Sequence, residues 1–181
     1  NRIPSELLID KNNYNYYSKT NNRRIYFLIK RIGELFLSLF LLILTSPLII
    51  ISSLLIFLED KGTIFYYQIR NCKDGKLFKL IKLRTMSINA EKGGPQWVKK
   101  YDPRVTKIGR FLRKTRIDEL PQLWLVINGT MSLIGPRPER PEFDDILKEK
   151  IPYYLLRQKI KPGLSGWAQV NYPYGASIKD A

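Results

Sequence analysis

Histidine does not occur in this chain of 181 residues. Its absence excludes Ser-His-Asp triads, HExxH metal sites and imidazole general bases together. A single cysteine, Cys72, excludes an internal disulfide and any cysteine-rich zinc site. No GxxxxGK[ST] and no GxGxxG run occurs, so the known glycine-built phosphate loops lend no support to a nucleotide site. Negative charge is scarce as well: 16 Asp and Glu stand against 31 Lys and Arg, a formal charge of +15. Any chemistry must therefore rest on carboxylates, Lys, Arg, Tyr or a metal held by carboxylates. Such a surplus of positive charge implies an anionic partner: nucleic acid, an anionic membrane surface or a phosphorylated substrate.

What the chain has in abundance is one apolar run, "LFLSLFLLILTSPLIIISSLLIFL", residues 35–58, without a charge. As a straight helix it covers ~36 Å, enough for a hydrocarbon core of ~30 Å. It lies well inside the chain and no A-x-A-like site follows it, which argues against a signal peptide. A buried helix of a small soluble domain would rarely be so uniformly apolar. Ser46-Pro47 sits at its centre, where proline removes one helical hydrogen bond. Before the run, seven Lys and Arg against three Asp and Glu leave +4; after it remains +15 − 4 = +11. Positive flanks mark the cytoplasmic side, and here both ends claim it. A helix bent at Ser46-Pro47 that enters one leaflet and returns satisfies this, and so does a kinked helix that spans. The residues alone leave the two in balance.

Residues 1–25, with "KNNYNYYSKTNNRR", read as a polar linker. Two runs at 63–70 and 76–86 flank "NCKDGK", and Asp74-Gly75 predicts a β-hairpin. Gly-Gly-Pro and Asp-Pro mark 89–106 as a loop. From Arg104, Val105, Ile108, Phe111 and Leu112 recur at helical spacing among Lys107, Arg110, Arg113, Lys114 and Arg116. That is a basic amphipathic helix, suited to an anionic membrane interface. Next comes "TRIDELPQLW", residues 115–124. Ile117, Leu120, Leu123, Trp124 and Ile127 predict a helix that starts near Asp118 and ends at Asn128-Gly129. Asp118 then serves as N-cap, Glu119 suits the dipole, and Pro121 fits the first turn. A catalytic carboxylate pair is the competing reading. "SLIGPRPERPEF" (132–143) is a proline-stiffened loop presenting Arg137 and Arg140, the latter read as a surface charge. Helices follow around 142–150 and 152–160, and the Gly- and Pro-rich tail reads as turns around a short strand. The fold class expected is α+β and mainly helical.

In this order, "LTSPLIII", "KLFKLIKLRTM", "DPRVTKIGRFLRKTRIDELPQLWLVINGTMSLIGPRPERPEF" and "IKPGLSGWAQVNYPYGAS" resemble the bacterial sugar transferases, or monotopic phosphoglycosyl transferases. The resemblance covers roughly residues 26–181. It implies residues 26–60 as a re-entrant membrane helix broken at Ser46-Pro47, and 61–181 as a small cytosolic catalytic domain with interfacial helices and a hairpin. "RIPSELLID" looks like the junction of long members, so 1–25 would lead from a missing N-terminal region, and members continue beyond Ala181. The subgroup most resembled passes hexose-1-phosphate to undecaprenyl phosphate, at the start of capsule, exopolysaccharide or O-antigen synthesis.

The implied reaction moves a sugar-1-phosphate from a UDP-sugar to a polyprenyl phosphate and releases UMP. In the family an Asp-Glu dyad does this through a covalent phosphosugar-enzyme, and it falls on Asp118 and Glu119, with Mg²⁺ held partly by Asp118. Arg84 and Arg137 are the phosphate-clamp candidates, since guanidinium groups bind phosphate bidentately, with solvation of a strand edge as the equal alternative for Arg84. Gln169 and Asn171, in "WAQVNY", are candidates for the nucleotide or sugar site, with turn residues as the alternative. A helix N-terminus at Asp118 would offer N–H groups to the diphosphate. Short members often carry an Arg after "AQVN"; this chain has "YPYGAS", as long members do. The implied partners are a UDP-sugar, polyprenyl phosphate and anionic membrane lipid, at the cytoplasmic face of the bacterial inner membrane, with a homo-oligomer left open. A membrane-anchored scaffold without activity is the alternative class. Nucleic acid is disfavoured, because the aromatics do not interleave with Arg as stacking platforms. Nothing in the residues names the sugar.

Overall fold

The computed structural model describes residues 23–90, 94 and 102–171. Most of the polar 1–25 stretch, most of the 91–101 loop and the "YPYGAS" tail lie outside the described residues. The chain divides into two units, Asn1–Gly33 and Glu34–Ala181. In the first, the described residues are the opening turns of a helix; the second holds everything below.

Helix α1 is Arg23–Asp60, 38 residues with Pro47 inside. It is long and apolar enough, over Arg24–Asp60, to cross a membrane. The helix continues through Pro47 for a local reason. Proline has no N–H for the Ile43 carbonyl four residues back, and the Ser46 hydroxyl donates to that carbonyl instead at 2.8 Å. Thr45 and Ser53 donate to Leu41 O and Ile49 O, both at 2.7 Å, so these hydroxyls are satisfied within the helix. Phe36, Ile43 and Ile50 point outward and exposed, whereas Ser38, Thr45, Ile49, Ser52 and Ile56, at helical spacing, are shielded. Such broad apolar exposure separates α1 from the core helix of a soluble domain.

Strands β1 (Phe65–Asn71) and β2 (Leu77–Leu83) pair antiparallel, with Gln68 opposite Leu80. Asp74 (φ 58) and Gly75 (φ 73) make the turn, as the Asp-Gly pair predicts. Helix α2 is Lys107–Thr115, capped by Thr106, whose Oγ1 accepts from Gly109 N at 2.9 Å. Val105 lies before it, bridged antiparallel to Met86, so the helix starts later than the apolar spacing from Arg104 implies. Gly109 lets α2 press on the end of β2: a Cβ there would meet Thr85 O at 2.0 Å.

A 3-10 segment, Ile117–Gln122, leads into the short helix α3, Leu123–Ile127. Asn128 and Gly129 (φ 86) close it as predicted. Strand β3 (Ser132–Ile134) pairs parallel with β4 (Gly163–Ser165). Between them come helix α4 (Pro141–Lys150) and a second 3-10 segment, Tyr154–Lys159. Helix α5 (Trp167–Asn171) follows β4, where the tail was expected to make turns. Two apolar clusters hold the unit. One joins Ile56 of α1 to Leu83, Leu112 and Ile117; the other joins Leu80 to Leu125, Val126 and Met131. The architecture is mainly helical α+β, with one long apolar helix and two small sheets.

Candidate active site

Ile117 is buried against Leu112 and Ile56, and Leu120 packs on the same cluster. The residues between them, Asp118 and Glu119, are thereby placed by packing rather than by a helix terminus. Arg116, in the left-handed region (φ 60, ψ 15), makes the corner between α2 and the 3-10 segment. Glu119 N is bonded to Arg116 O at 3.2 Å.

This corrects the capping role expected for Asp118. It is the second residue of the 3-10 segment, the cap position belongs to Arg116, and no side-chain cap bond forms. Helix α3 begins only at Leu123, so no helix N-terminus presents N–H groups at Asp118. An N-cap needs extended backbone before a helix, and the left-handed corner at Arg116 pre-empts it.

The two carboxylates have unequal surroundings. Asp118 is 5% exposed, and its Oδ1 has no hydrogen-bond partner among the described residues. Burial, with the neighbouring Glu119 charge, pushes its pKa up to about 6, although Lys82, Arg113 and Arg116 pull the other way. Glu119 is instead paired, with Arg137 Nη2 at 3.2 Å and Arg116 Nη1 at 3.5 Å from its Oε1. Adjacent acids with such different partners can take different chemical roles. A buried carboxylate oxygen without a hydrogen-bond partner is a poor stabilising device, and a carboxylate is chemically able to act as a phosphoryl nucleophile.

Lys82 comes from β2 and Arg113 from α2, where Thr85 Oγ1 accepts from its Nε at 2.8 Å. Neither was singled out as a site residue from the sequence, nor was Arg116. Only a tertiary fold brings strand 77–83 to the 3-10 segment, so the spacing of basic residues carried no signal for it.

The other candidates lie as follows. Arg137 meets Glu119 as described. Arg84 gives both Nη atoms to the Asp60 carboxylate and its Nε to Thr63 O, so its fork is engaged at the end of α1. Gln169 donates to Leu164 O at 3.5 Å while its Oε1 is buried without a partner among the described residues. Asn171 donates to Trp167 O at 2.9 Å within α5 and is exposed. Ser46 and Pro47, expected as the break of the membrane helix, lie inside α1, which runs through them as one helix. Arg140, expected as a surface charge, is 9% exposed, lies 5.8 Å over the Phe143 ring and is 3.7 Å from Glu142. It is a buried residue of the loop.

Among the described residues no three His, Cys, Asp or Glu cluster to hold a metal. Asp118 and Glu119 still fit Mg²⁺, which is commonly bound through one or two carboxylates with substrate phosphates and water completing its shell. The unpartnered Asp118 Oδ1 is a hard oxygen of that kind.

Comparison with known proteins fits this geometry. The profile described as "Bacterial sugar transferase" matches residues 25–180. A Bacillus subtilis (strain 168) protein is 52% identical over 132 residues, 73% of this chain and 74% of that one. Its name, undecaprenyl-phosphate N-acetylgalactosaminyl 1-phosphate transferase, is itself provisional. The UDP-N-acetylgalactosamine-undecaprenyl-phosphate N-acetylgalactosaminephosphotransferase of Aeromonas hydrophila is 43% identical over 86% of this chain and 37% of its own length. The UDP-glucose:undecaprenyl-phosphate glucose-1-phosphate transferase of Escherichia coli (strain K12) is 40% identical over 80% of this chain and 31% of its own. The chain thus spans most of the first relative and about a third of the other two.

Proposed function

This chain belongs to the bacterial sugar transferase family, and from that premise we propose that it transfers a sugar-1-phosphate from a UDP-sugar to undecaprenyl phosphate, releasing UMP. The observation that carries the reading is the Asp118 carboxylate, buried and unpartnered at Oδ1, within the electrostatic reach of Lys82, Arg113 and Arg116. An Asp118 oxygen attacks the β-phosphorus. A new carboxylate O–P bond forms, the bond from that phosphorus to the oxygen bridging the α-phosphate breaks, and UMP leaves with the electron pair. A lipid phosphate oxygen then attacks the same phosphorus and releases the Asp118 carboxylate. Splitting the transfer lets two bulky substrates use one site in turn.

Phosphoryl transfer needs positioning and charge neutralisation above all. Lys82, Arg113 and Arg116 supply positive charge around the reacting carboxylate, and Arg137, oriented by Glu119, clamps the diphosphate. Arg84 reaches a phosphate only by competing with Asp60 for its fork, and otherwise holds the end of α1 in place. Gln169, with its unpartnered Oε1, and Asn171 serve the nucleotide or sugar end. Asp118, with Glu119 beside it, would hold Mg²⁺, which when bound would supply charge neutralisation at the diphosphate.

The same reading makes 26–60, the bulk of α1, a re-entrant membrane helix and 61–181 a domain on the cytoplasmic face, with 1–25 as a linker. What supports it is how the apolar run is tethered. Glu34, before it, accepts from Ser132 Oγ and from Leu133 N at 3.3 Å. Glu59, after it, accepts from Lys107 N at 3.0 Å. A helix crossing straight through would put these two carboxylates on opposite sides of a hydrocarbon core of ~30 Å. Bonds from both to one domain favour the re-entrant path. Exposed Phe111 and the basic residues of α2 then suit the anionic interface.

The test is turnover in detergent or vesicles. UDP-N-acetylgalactosamine and UDP-glucose, the sugars in the relatives' names, are offered with Mg²⁺ and undecaprenyl phosphate, and sugar label in the lipid phase is counted. Transfer that disappears in Asp118→Asn supports the reading. An Asp118→Asn protein that still transfers, or a wild type that transfers nothing to lipid from any UDP-sugar, contradicts it and leaves the scaffold.

A further inference from the structure

Arg137 reaches Glu119 from a segment with no regular structure, Gly135–Arg140, containing two prolines that offer no N–H. Nevertheless every carbonyl from Pro136 to Arg140 accepts a hydrogen bond. Gly163 N donates to Pro136 O at 2.9 Å, and Asn71 N to Glu139 O at 3.0 Å. Phe143 N and Asp144 N, both at 3.0 Å, serve Arg140 O. The two carbonyls between are held by guanidinium groups. Arg70 Nη1 donates to Pro138 O at 3.0 Å, and Arg157 Nη2 to Arg137 O at 2.6 Å.

Arg157 is itself fixed from behind. Its Nη1 donates to the Tyr154 hydroxyl at 2.6 Å, and its guanidinium lies 4.8 Å over the Tyr154 ring. The single O–H of Tyr154 donates to Asp144 Oδ1 at 2.9 Å in a buried contact. Asp144 Oδ2 accepts from Gln158 Nε2 at 2.9 Å and from Asn71 Nδ2. Burial pushes the Tyr154 pKa well above its ordinary value, Arg157 offsetting and Asp144 reinforcing the effect, so the hydroxyl stays a donor. The whole chain of contacts lies behind the loop and includes neither Asp118 nor Glu119.

We propose that Arg157, braced by Tyr154 and Asp144, is a positioning residue for the transfer, acting only through Arg137, whose backbone it fixes so that the side chain meets Glu119. A lysine could not replace it. It lacks the planar fork that binds one acceptor with each Nη while stacking on a ring. The inference rests on the clamp role given to Arg137 above.

A double-mutant cycle tests it, with kcat and KM for the UDP-sugar and a thermal midpoint measured for each protein. Alone, Arg157→Leu or Arg157→Lys lowers kcat/KM about 10- to 100-fold, the size of effect expected when an oriented contact to substrate is lost. In an Arg137→Ala background the same change costs less than about threefold, because residues acting through one another are not additive. Tyr154→Phe, which removes only the hydroxyl, shows the same dependence on Arg137 with a smaller loss, and is read if the Arg157 variants fail to fold. A full loss from Arg157 in the Arg137→Ala background, or a loss matched by a fallen midpoint and restored at low temperature, overturns the inference alone. An Arg137→Ala protein with wild-type turnover overturns the clamp role and the inference with it.

Discussion

Replacing Asp118 with Asn should end turnover and, at neutral pH, make the protein more stable. The carboxyl is held at about 6 against an ordinary 3.8, with burial as the main cause. Folding therefore favours its protonated form. The sign follows from linkage: the folded value is raised, so the penalty on the folded state is full above about 6 and vanishes below 3.8. A shift from 3.8 to about 6, at about 1.4 kcal/mol per pH unit, amounts to about 3 kcal/mol. Asp118 is 5% exposed, so solvent screens little of this. Asn carries no charge and escapes the penalty. For a chain of this size about 1 kcal/mol moves the thermal midpoint by roughly 2–4 °C, so the variant should melt roughly 6–12 °C higher at pH 7.5. The gap should close as pH falls from 6 towards 4. Melting curves of both proteins in the same detergent at pH 7.5, 6 and 4.5 make the measurement. An Asn variant that melts lower at pH 7.5, or by a margin independent of pH, refutes the picture of a strained, buried carboxylate.

Three further outcomes follow from the same geometry. kcat/KM for UMP release should fall as pH drops through the Asp118 pKa, which burial raises and bound Mg²⁺ would lower; an acid limb that does not move with Mg²⁺ concentration argues against Asp118 as the nucleophile. Arg116→Gly relieves a left-handed backbone that costs an ordinary residue about 1–2 kcal/mol, yet removes a cation beside both carboxylates. It should melt higher and turn over at least tenfold more slowly, and a variant with full activity would show that Arg116 only turns the corner. Ser46→Ala strands the Ile43 carbonyl freed by Pro47 and should cost about 1–3 kcal/mol; an unchanged thermal midpoint would show that the hydroxyl does not serve that carbonyl.

Local signals carried most of the secondary structure. Asp74-Gly75 placed the hairpin, Asn128-Gly129 closed α3, and the apolar run at 35–58 lies within α1. Asp118 was harder because its residue type suits two jobs. Capping preference scores one side chain against the next few N–H groups, whereas the position of Asp118 depends on Ile117 and Leu120 sinking into a cluster with Leu83, Leu112 and Ile56. Lys82 stands 36 positions before Asp118 in the sequence, and nothing in the 77–83 pattern points to their meeting. Arg70 and Arg157 look like two more surface cations until the carbonyls they hold are seen. Arg84 was read by type as a phosphate ligand, but its engagement with Asp60 depends on how α1 ends against β2. In a chain with 31 basic residues, composition cannot say which ones face phosphate and which ones face backbone.

The central claim is that Asp118 is phosphorylated by the sugar nucleotide before the lipid arrives. Purified enzyme mixed with a tenfold excess of its UDP-sugar and Mg²⁺, without polyprenyl phosphate, should release a rapid burst approaching one UMP per enzyme. Sugar label should remain on the protein at Asp118, to be discharged when lipid phosphate is added. UMP that appears only after the lipid is present, with no label ever retained on the protein, would contradict the account.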